Sequence, residues 1–352
     1  MLIRRLGFLL PLVLPVLVLV GYRLGGAWNF LTVVWAFALV PLTDALVGID
    51  TEVAGPVRGT SPAWGRFFDA VLIVWVPVQF ALLVFAVVAV GSIEAIAARI
   101  GLTLSVGVVT GGIGIVVAHE LGHRHGRGAR FLAGALLSSV AYLHFYIEHN
   151  QGHHSRVGTQ VDPATARPGE TFWRFLPRAV FGGIASAWHI EVVRLAAARR
   201  SRYSPRNRLL WAGAIPVAVT ALLGWTLGAP AAVLFVAQAL VAAVLLELVN
   251  YVEHYGLTRR RAADGRFERV GVEHSWNSSQ RLSNWVTFNL QRHSHHHVQV
   301  TRRYQELEHA PGAPQLPTGY AGMIMLALVP PLWRRVMDPR LARWQAEHRV
   351  LA

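Results

Sequence analysis

Residues 209–251 read LLWAGAIPVAVTALLGWTLGAPAAVLFVAQALVAAVLLELVNY. Two apolar runs, Leu209–Leu227 and Ala231–Tyr251, meet at the turn Gly228-Ala229-Pro230. Each is as long as a helix needs to cross a hydrocarbon core of about 30 Å at about 1.5 Å per residue. The hairpin therefore decides the fold class, and the chain before it repeats the signal. Apolar runs cover Leu6–Tyr22, about Ala27–Val47, about Ala70–Val90 and about Ile100 to Glu120. A signal peptide does not account for the first, because no small-residue cleavage site follows and the next run begins near Trp28. Asp44, Asp50 and the Gly/Pro-rich stretch after them mark the exit of the second span into water. The expectation is one all-α integral membrane domain over residues 1–352, with six transmembrane helices at about 6–22, 27–47, 70–90, 100–120, 209–227 and 231–251.

An even span count puts both termini on one side. The arginines at 199, 200, 202, 206 and 208 and the run Arg259-Arg260-Arg261 fall on that side too, while the opposite loops hold little beyond Arg23 and Glu94. The positive-inside rule makes that side cytoplasmic. Phe131–Tyr146 is short for a span, and Phe175–Ala198 mixes Trp188, His189, Glu191 and Arg194 into its apolar residues. Both are expected to be interfacial or partly re-entrant helices. The net charge of +14 is all arginine, since the chain has no lysine. Cytoplasmic loops account for it without nucleic acid, and it also suits an acidic soluble partner. Without cysteine there are no disulfides, thiolate zinc sites or iron–sulfur clusters. Any metal must be held by nitrogen and oxygen.

Histidines crowd where the spans end. Residues 290–297, LQRHSHHH, hold four imidazoles in five positions, and neutral imidazole is the commonest protein ligand for transition metals. At the end of the fourth span, His119 and His123 in HELGH are four residues apart, on one helical face. In EHNQGHH, Glu148–His154, the pair His149 and His153 repeats that spacing, and His154 beside them is placed to reach a neighbouring ion. His293, His296 and His297 share a face, with His295 pointing away. His254 sits where the sixth span meets the cytoplasm and makes a ninth. Nine imidazoles exceed the four to six positions of one ion, so two metals are expected, in a cytosolic cap formed by 119–198 and 252–352. An HExxH zinc protease would need only one or two further ligands. Spacing does not identify the metal, and the affinity order favours copper or zinc over iron. Metal transport or sensing calls for polar ligands at mid-membrane, whereas these clusters sit at span ends. Glu120, Glu148 and Glu253 are placed either to accept from ring N–H groups or to stand as solvated charges at helix ends. His125, His144, His189, His274, His309 and His348 lack a repeated ligand spacing.

HELGHR (His119–Arg124), EHNQGHH, NYVEHYGL (Asn250–Leu257) and LQRHSHHH resemble, in order and spacing, the four histidine motifs of integral-membrane alkane 1-monooxygenases, within the membrane fatty acid desaturase/hydroxylase superfamily. The likeness continues through PLTDALVGID from Pro41, DPATARPGE from Asp162, HSWNSSQRLSN from His274 and RRYQELEHAPGAPQLPTGYAGM from Arg302. It implies a bacterial inner-membrane enzyme with a non-haem di-iron centre at the cytosolic end of a hydrophobic channel. The ligands would be His119, His123, His149, His153, His154, His254, His293, His296 and His297. The implied reaction is O2-dependent terminal hydroxylation of medium-chain n-alkanes, with electrons from rubredoxin, itself reduced by an NAD(P)H-dependent reductase. Two departures stand out: Arg124 where many members have lysine, and His295, a candidate for hydrogen bonding around the site, where aspartate is common. An alkane has no polar handle, so an apolar tunnel must position it. Trp35 and Phe37 are candidates for the bulk that limits chain length; two residues apart on a helix, at most one is expected to face the tunnel. The same scaffold could instead hydroxylate an alkylbenzene methyl group or a terpene, or desaturate a fatty acyl chain.

Overall fold

The computed structural model describes residues 2–52 and 62–350. Their regular structure is all helical, with isolated β-bridges and no strand. Among the described residues seven helices are long and apolar enough to cross a membrane: α1 (Leu2–Leu24), α2 (Gly26–Val47), α3 (Trp64–Ser92), α4 (Ile96–Gly122), α7 (Phe172–Ala197), α8 (Arg208–Leu227) and α9 (Ala229–His254). Between α4 and α7 lie α5 (Arg127–Ser139) and α6, a continuous run made of His144–Glu148, His149–His153 and His154–Arg156. After α9 come α10 (Arg281–Val286), α11 (His293–Val298), α12 (Tyr320–Ala327) and α13 (Pro330–Val350).

The opening hairpin is α8–α9. Gly228 turns it with φ of 86°, a value L side chains avoid, and Pro230 stands in the first turn of α9, where its missing N–H removes no helical bond. Asn207 caps α8 by accepting the Leu209 N–H at 2.9 Å. None of the apolar window of α8 is buried within the protein, and Trp225 is 85% exposed. Lipid is the solvent for that surface. At the other extreme 78% of the α4 window is buried. The glycines of Gly107-Val108-Val109-Thr110-Gly111 let α4 lie against α9: a Cβ on Gly107 would come within 2.6 Å of Val241, and one on Gly111 within 2.5 Å of the Ala242 backbone. Close backbone approach replaces hydrophobic burial as the force between helices in lipid.

The six expected spans are α1–α4, α8 and α9, and α7 is the seventh long helix. Its first turn packs Phe172 and Phe175 on Tyr251, near the end of α9, while Glu191, near its other end, ion-pairs Arg208 at the start of α8. Both ends of α7 are thus tied to one end of the hairpin. The stretch 131–146 is not a single helix: α5 ends at Ser139, and Ala141, in the left-handed region with φ of 54°, turns the chain into α6.

Asp44 and Asp50 do not mark an exit into water. Asp44 is 1% exposed and accepts the N–H groups of Leu282 and Ser283 at 2.8 and 3.2 Å and the Ser283 hydroxyl, a carboxylate at the positive end of α10. Asp50 is buried and ion-pairs Arg4 at 2.7 Å. The end of α2 is therefore clamped to the segment that leads into α11. Of the Gly/Pro-rich stretch that follows, 53–61 lie outside the described residues.

Candidate metal centre

Four elements deliver imidazoles to one place. The last turn of α4 carries His119 and leads to His123, α6 carries His149, His153 and His154, α9 ends on His254, and α11 carries His293, His296 and His297. They meet as two sets, His119, His123, His149, His154 and His296, and His153, His254, His293 and His297, with the donor atoms of each set within 4.8 Å of one another. In the first, Nε2 of His123 lies 3.2 Å from those of His119 and His149, and Nε2 of His154 lies 2.9 Å from that of His149. In the second, Nε2 of His297 lies 2.9 Å from that of His293. Across the two sets stand neighbours such as His153 and His154, at 5.8 Å between ring centroids.

These separations suit cations. Nitrogens about 2.1 Å from a common ion lie about 3.0–3.4 Å from one another. A neutral imidazole has a single N–H, so several converging Nε2 atoms cannot satisfy one another by hydrogen bonding. Nε2 of His254 and of His296 are buried with no hydrogen-bond partner.

The allotment within EHNQGHH differs from the expectation. His149 and His153, four residues apart, belong to different sets, and His149 shares its set with His154. Residues 149–153 form a π turn, whose i to i+5 bonding aligns positions five apart. The face of LQRHSHHH is divided too: His293 and His297 serve one set and His296 the other. His295 faces neither, its Nδ1 accepting the Glu308 N–H at 2.7 Å. Two more π turns, Trp35–Leu39 in α2 and Thr110–Gly114 in α4, contribute residues to the cavity that ends at the histidines.

Burial first, and neighbouring imidazoles second, hold His149, His154, His293, His296 and His297 well below the ordinary histidine value; His123 is brought down to about 4 by burial and by His153. Their lone pairs are therefore free for a cation at neutral pH. His153 is the exception: burial pushes it down, but the carboxylate of Asp162, 2.9 Å from its Nδ1, raises it overall. Asp162 is 1% exposed and also accepts from Thr165 Oγ1 at 2.6 Å, which fixes the carboxylate and hence the ring. No spacing in the sequence singles out Asp162. Of the three glutamates, Glu120 bonds Arg124 at 3.4 Å and Glu148 bonds Arg156 at 2.7 Å, so neither is a solvated charge and both take arginine as partner. Glu253 does stand by a ring, 3.2 Å from His293 Nε2, with its other oxygen accepting from the Tyr320 hydroxyl at 2.7 Å. Among the remaining histidines, His274 bonds Glu268, His309 meets Ser279 Oγ, and His125 and His189 are exposed.

An apolar cavity runs between α2, α4, α9 and α12 and ends on His119, His149, His293 and Glu253. Trp35 and Phe37 both line it, so the expectation of one alone does not hold. Phe37 also lines a second apolar cleft with Leu240 and Met325, so it stands where the two hollows adjoin.

The fatty acid desaturase family model matches residues 94–327, which contain all nine histidines. Alkane 1-monooxygenases 1 and 2 of Pseudomonas aeruginosa are 42% and 43% identical to the chain, each over 91% of it and over 84% and 86% of their own lengths. The chain belongs to the alkane 1-monooxygenase family. Alkane 1-monooxygenase 2 of Alcanivorax borkumensis is 39% identical over 95% of the chain and 88% of its own length. As an alkane 1-monooxygenase family member the chain is an oxidoreductase of the membrane, and the two histidine sets are its metal-binding candidates. Arg124, one of the two departures noted in the sequence, bonds Asp69 at 2.8 Å and so ties the end of α4 to α3.

Proposed function

We propose that this alkane 1-monooxygenase family member hydroxylates the terminal carbon of medium-chain n-alkanes to 1-alkanols with O2, at a non-haem di-iron centre, using electrons from rubredoxin. The observation that carries the reading is the junction of an apolar tunnel with two histidine sets: the cavity that fits a chain of methylenes ends on His119, His149 and His293. His119, His123, His149, His154 and His296 would hold one iron, and His153, His254, His293 and His297 the other. Bound iron would supply O2 activation and the oxidising power an inert C–H bond demands. This all-nitrogen set differs from the carboxylate-rich sites of soluble di-iron bundles.

The chain's own residues do the rest. Val108, Ile113, Val116, Leu246 and Ile324 hold the alkane by shape and exclude water, leaving the methyl end as the part that meets the imidazoles. Trp35 and Phe37 limit how much chain fits behind that end. Asp162 fixes the His153 ring, and Tyr320 fixes Glu253 beside His293. Of the nine rings only those of His123 and His154 are partly exposed, which makes them the edge nearest a docked electron donor. Arg124, Arg156, Arg259 and Arg303 lie around that edge and suit an acidic rubredoxin, itself reduced by an NAD(P)H-dependent reductase. Arginine-rich loops on the same side support a cytoplasmic face for the site, with the helices in the inner membrane of a bacterium.

The test is whole cells expressing the chain with rubredoxin and its reductase, fed octane, p-xylene and a stearoyl lipid, with products read by gas chromatography. Accumulation of 1-octanol supports the reading, and an unsaturated lipid as sole product overturns it. Metal analysis of the purified protein should find two irons per chain; zinc in their place overturns the di-iron centre.

A further inference from the structure

Hydroxylation takes R–H, O2, two electrons and two protons to R–OH and H2O, and the apolar tunnel that brings the alkane cannot carry the protons. Beside His149 and His153 lies a second, much smaller chamber with room for about one water, lined in part by Tyr142, Glu148, Glu247 and Asn250 and by those two rings. Glu247 sits in the spanning helix α9 and is 4% exposed. Its oxygens accept from the Tyr142 hydroxyl at 2.8 Å and from Asn250 Nδ2 at 3.1 Å, and neither partner carries a positive charge. An ionisable side chain in a membrane span is costly and marks a functional path more often than a packing need. The other titratable groups that face it are His144, whose ring is tilted against Tyr142 at 4.2 Å between centroids, and Glu148, His149 and His153 around the chamber.

The chamber also points outward. Its far wall is Ala179 and Gly183 of α7, and a Cβ on Gly183 would meet nothing within 4 Å. Beside that wall Arg156, whose side chain is 29% exposed, bonds Glu148 at 2.7 Å and Ser186 at 2.5 Å. Arg156, Glu148 and Ser186 thus form a polar edge between α6 and α7 beside the chamber.

We propose that Glu247 is the proton relay of this site. Its carboxyl gives a proton to chamber water on the histidine side, the proton ends on the oxygen atom that leaves as H2O, and the carboxylate regains a proton from water entering past Arg156. The two electrons come from the protein donor named above and O2 is the oxidant, so the inference rests on the proposed hydroxylation.

Infrared spectroscopy of the metal-free protein in nanodiscs tests the relay without turnover. The wild type should show a protonated-carboxyl band that is lost in Glu247→Gln and shifts within minutes in D2O. A band unchanged by the substitution, or one that fails to shift in D2O over hours, overturns the proposal. In the iron-loaded protein, Glu247→Gln should lower kcat about tenfold or more, leave KM for octane within about twofold, raise the hydrogen peroxide formed per electron pair and enlarge the solvent deuterium isotope effect. Glu247→Asp should recover part of the rate, and Tyr142→Phe, which keeps the ring, should slow turnover less. Wild-type coupling and isotope effect in Glu247→Gln would refute the relay alone, whereas a wild type that makes no 1-octanol would refute the proposed function and leave the infrared result standing.

Discussion

Replacing Asp162 by Asn should unload one of the two histidine sets before the other. Asp162 is fully enclosed and holds one imidazole, His153, through a 2.9 Å contact to Nδ1; it touches no member of the five-histidine set. Asparagine keeps the shape and can still accept one hydrogen bond, but it removes the charge that orients His153 and makes its Nε2 a stronger donor to a cation. Losing such a partner typically costs 10–100-fold in metal affinity, or about 1.4–2.8 kcal/mol. The four-histidine set containing His153 should therefore lose iron at a chelator concentration about 10–100 times lower than in the wild type. The five-histidine set should hold its iron nearly as before. Titration with a ferrous chelator, followed by iron content and Mössbauer spectra, should show a plateau at one iron per chain that the wild type lacks. Thr165→Val, which removes only the 2.6 Å hydrogen bond to Asp162, should move the same transition by about 1 kcal/mol. Equal loss from both sets, or no change in Asp162→Asn, would refute the division of histidines described above.

Other outcomes follow from the same geometry. His254→Ala should lower bound iron and abolish turnover, because its unpartnered Nε2 is one of only four donors in its set; full iron and a normal rate would remove it from the ligands. Trp35→Ala should raise kcat/KM for hexadecane relative to octane by about tenfold, in line with about 1–3 kcal/mol for a change of pocket size; an unchanged ratio places Trp35 outside the limiting wall. Burial holds His144 neutral down to about 4, below its ordinary value of 6.5. Between those values the unfolded chain binds a proton that the folded chain does not, so stability falls as pH drops, by about 1.4 kcal/mol per unit. In thermal melts of the metal-free protein, the gap between wild type and His144→Phe should accordingly shift in favour of the variant by about 2 kcal/mol from pH 7 to pH 5. Turnover with an acidic electron donor should fall as salt rises, since exposed charge is screened over about 8–10 Å near physiological ionic strength; a flat response argues against docking on the arginines.

What was legible in the sequence and what was not divide along a physical line. Membrane spans announce themselves because lipid demands about twenty apolar residues in a row whatever the tertiary structure, so α1–α4, α8 and α9 stand out unaided. Histidines announce themselves because nothing in core packing calls for four in five positions. Partners brought together by the tertiary fold give no such signal. Asp162 lies nine residues beyond His153 across an irregular turn, and Asp44 reaches α10 from 238 positions away. The sharpest case is His149. Spacing assigns it to His153 if the turn is an α turn and to His154 if it is a π turn, and the sequence EHNQGHH permits both. The structure has the π turn, and Gly152 within it lies under the Glu148–Arg156 ion pair of the same helix: a Cβ there would collide with both side chains. Gly152→Ala should then disturb the pairing of His149 with His154 more than any change to the spans, and it should show as loss of iron from the five-histidine set while Asp162 still holds His153 in the other.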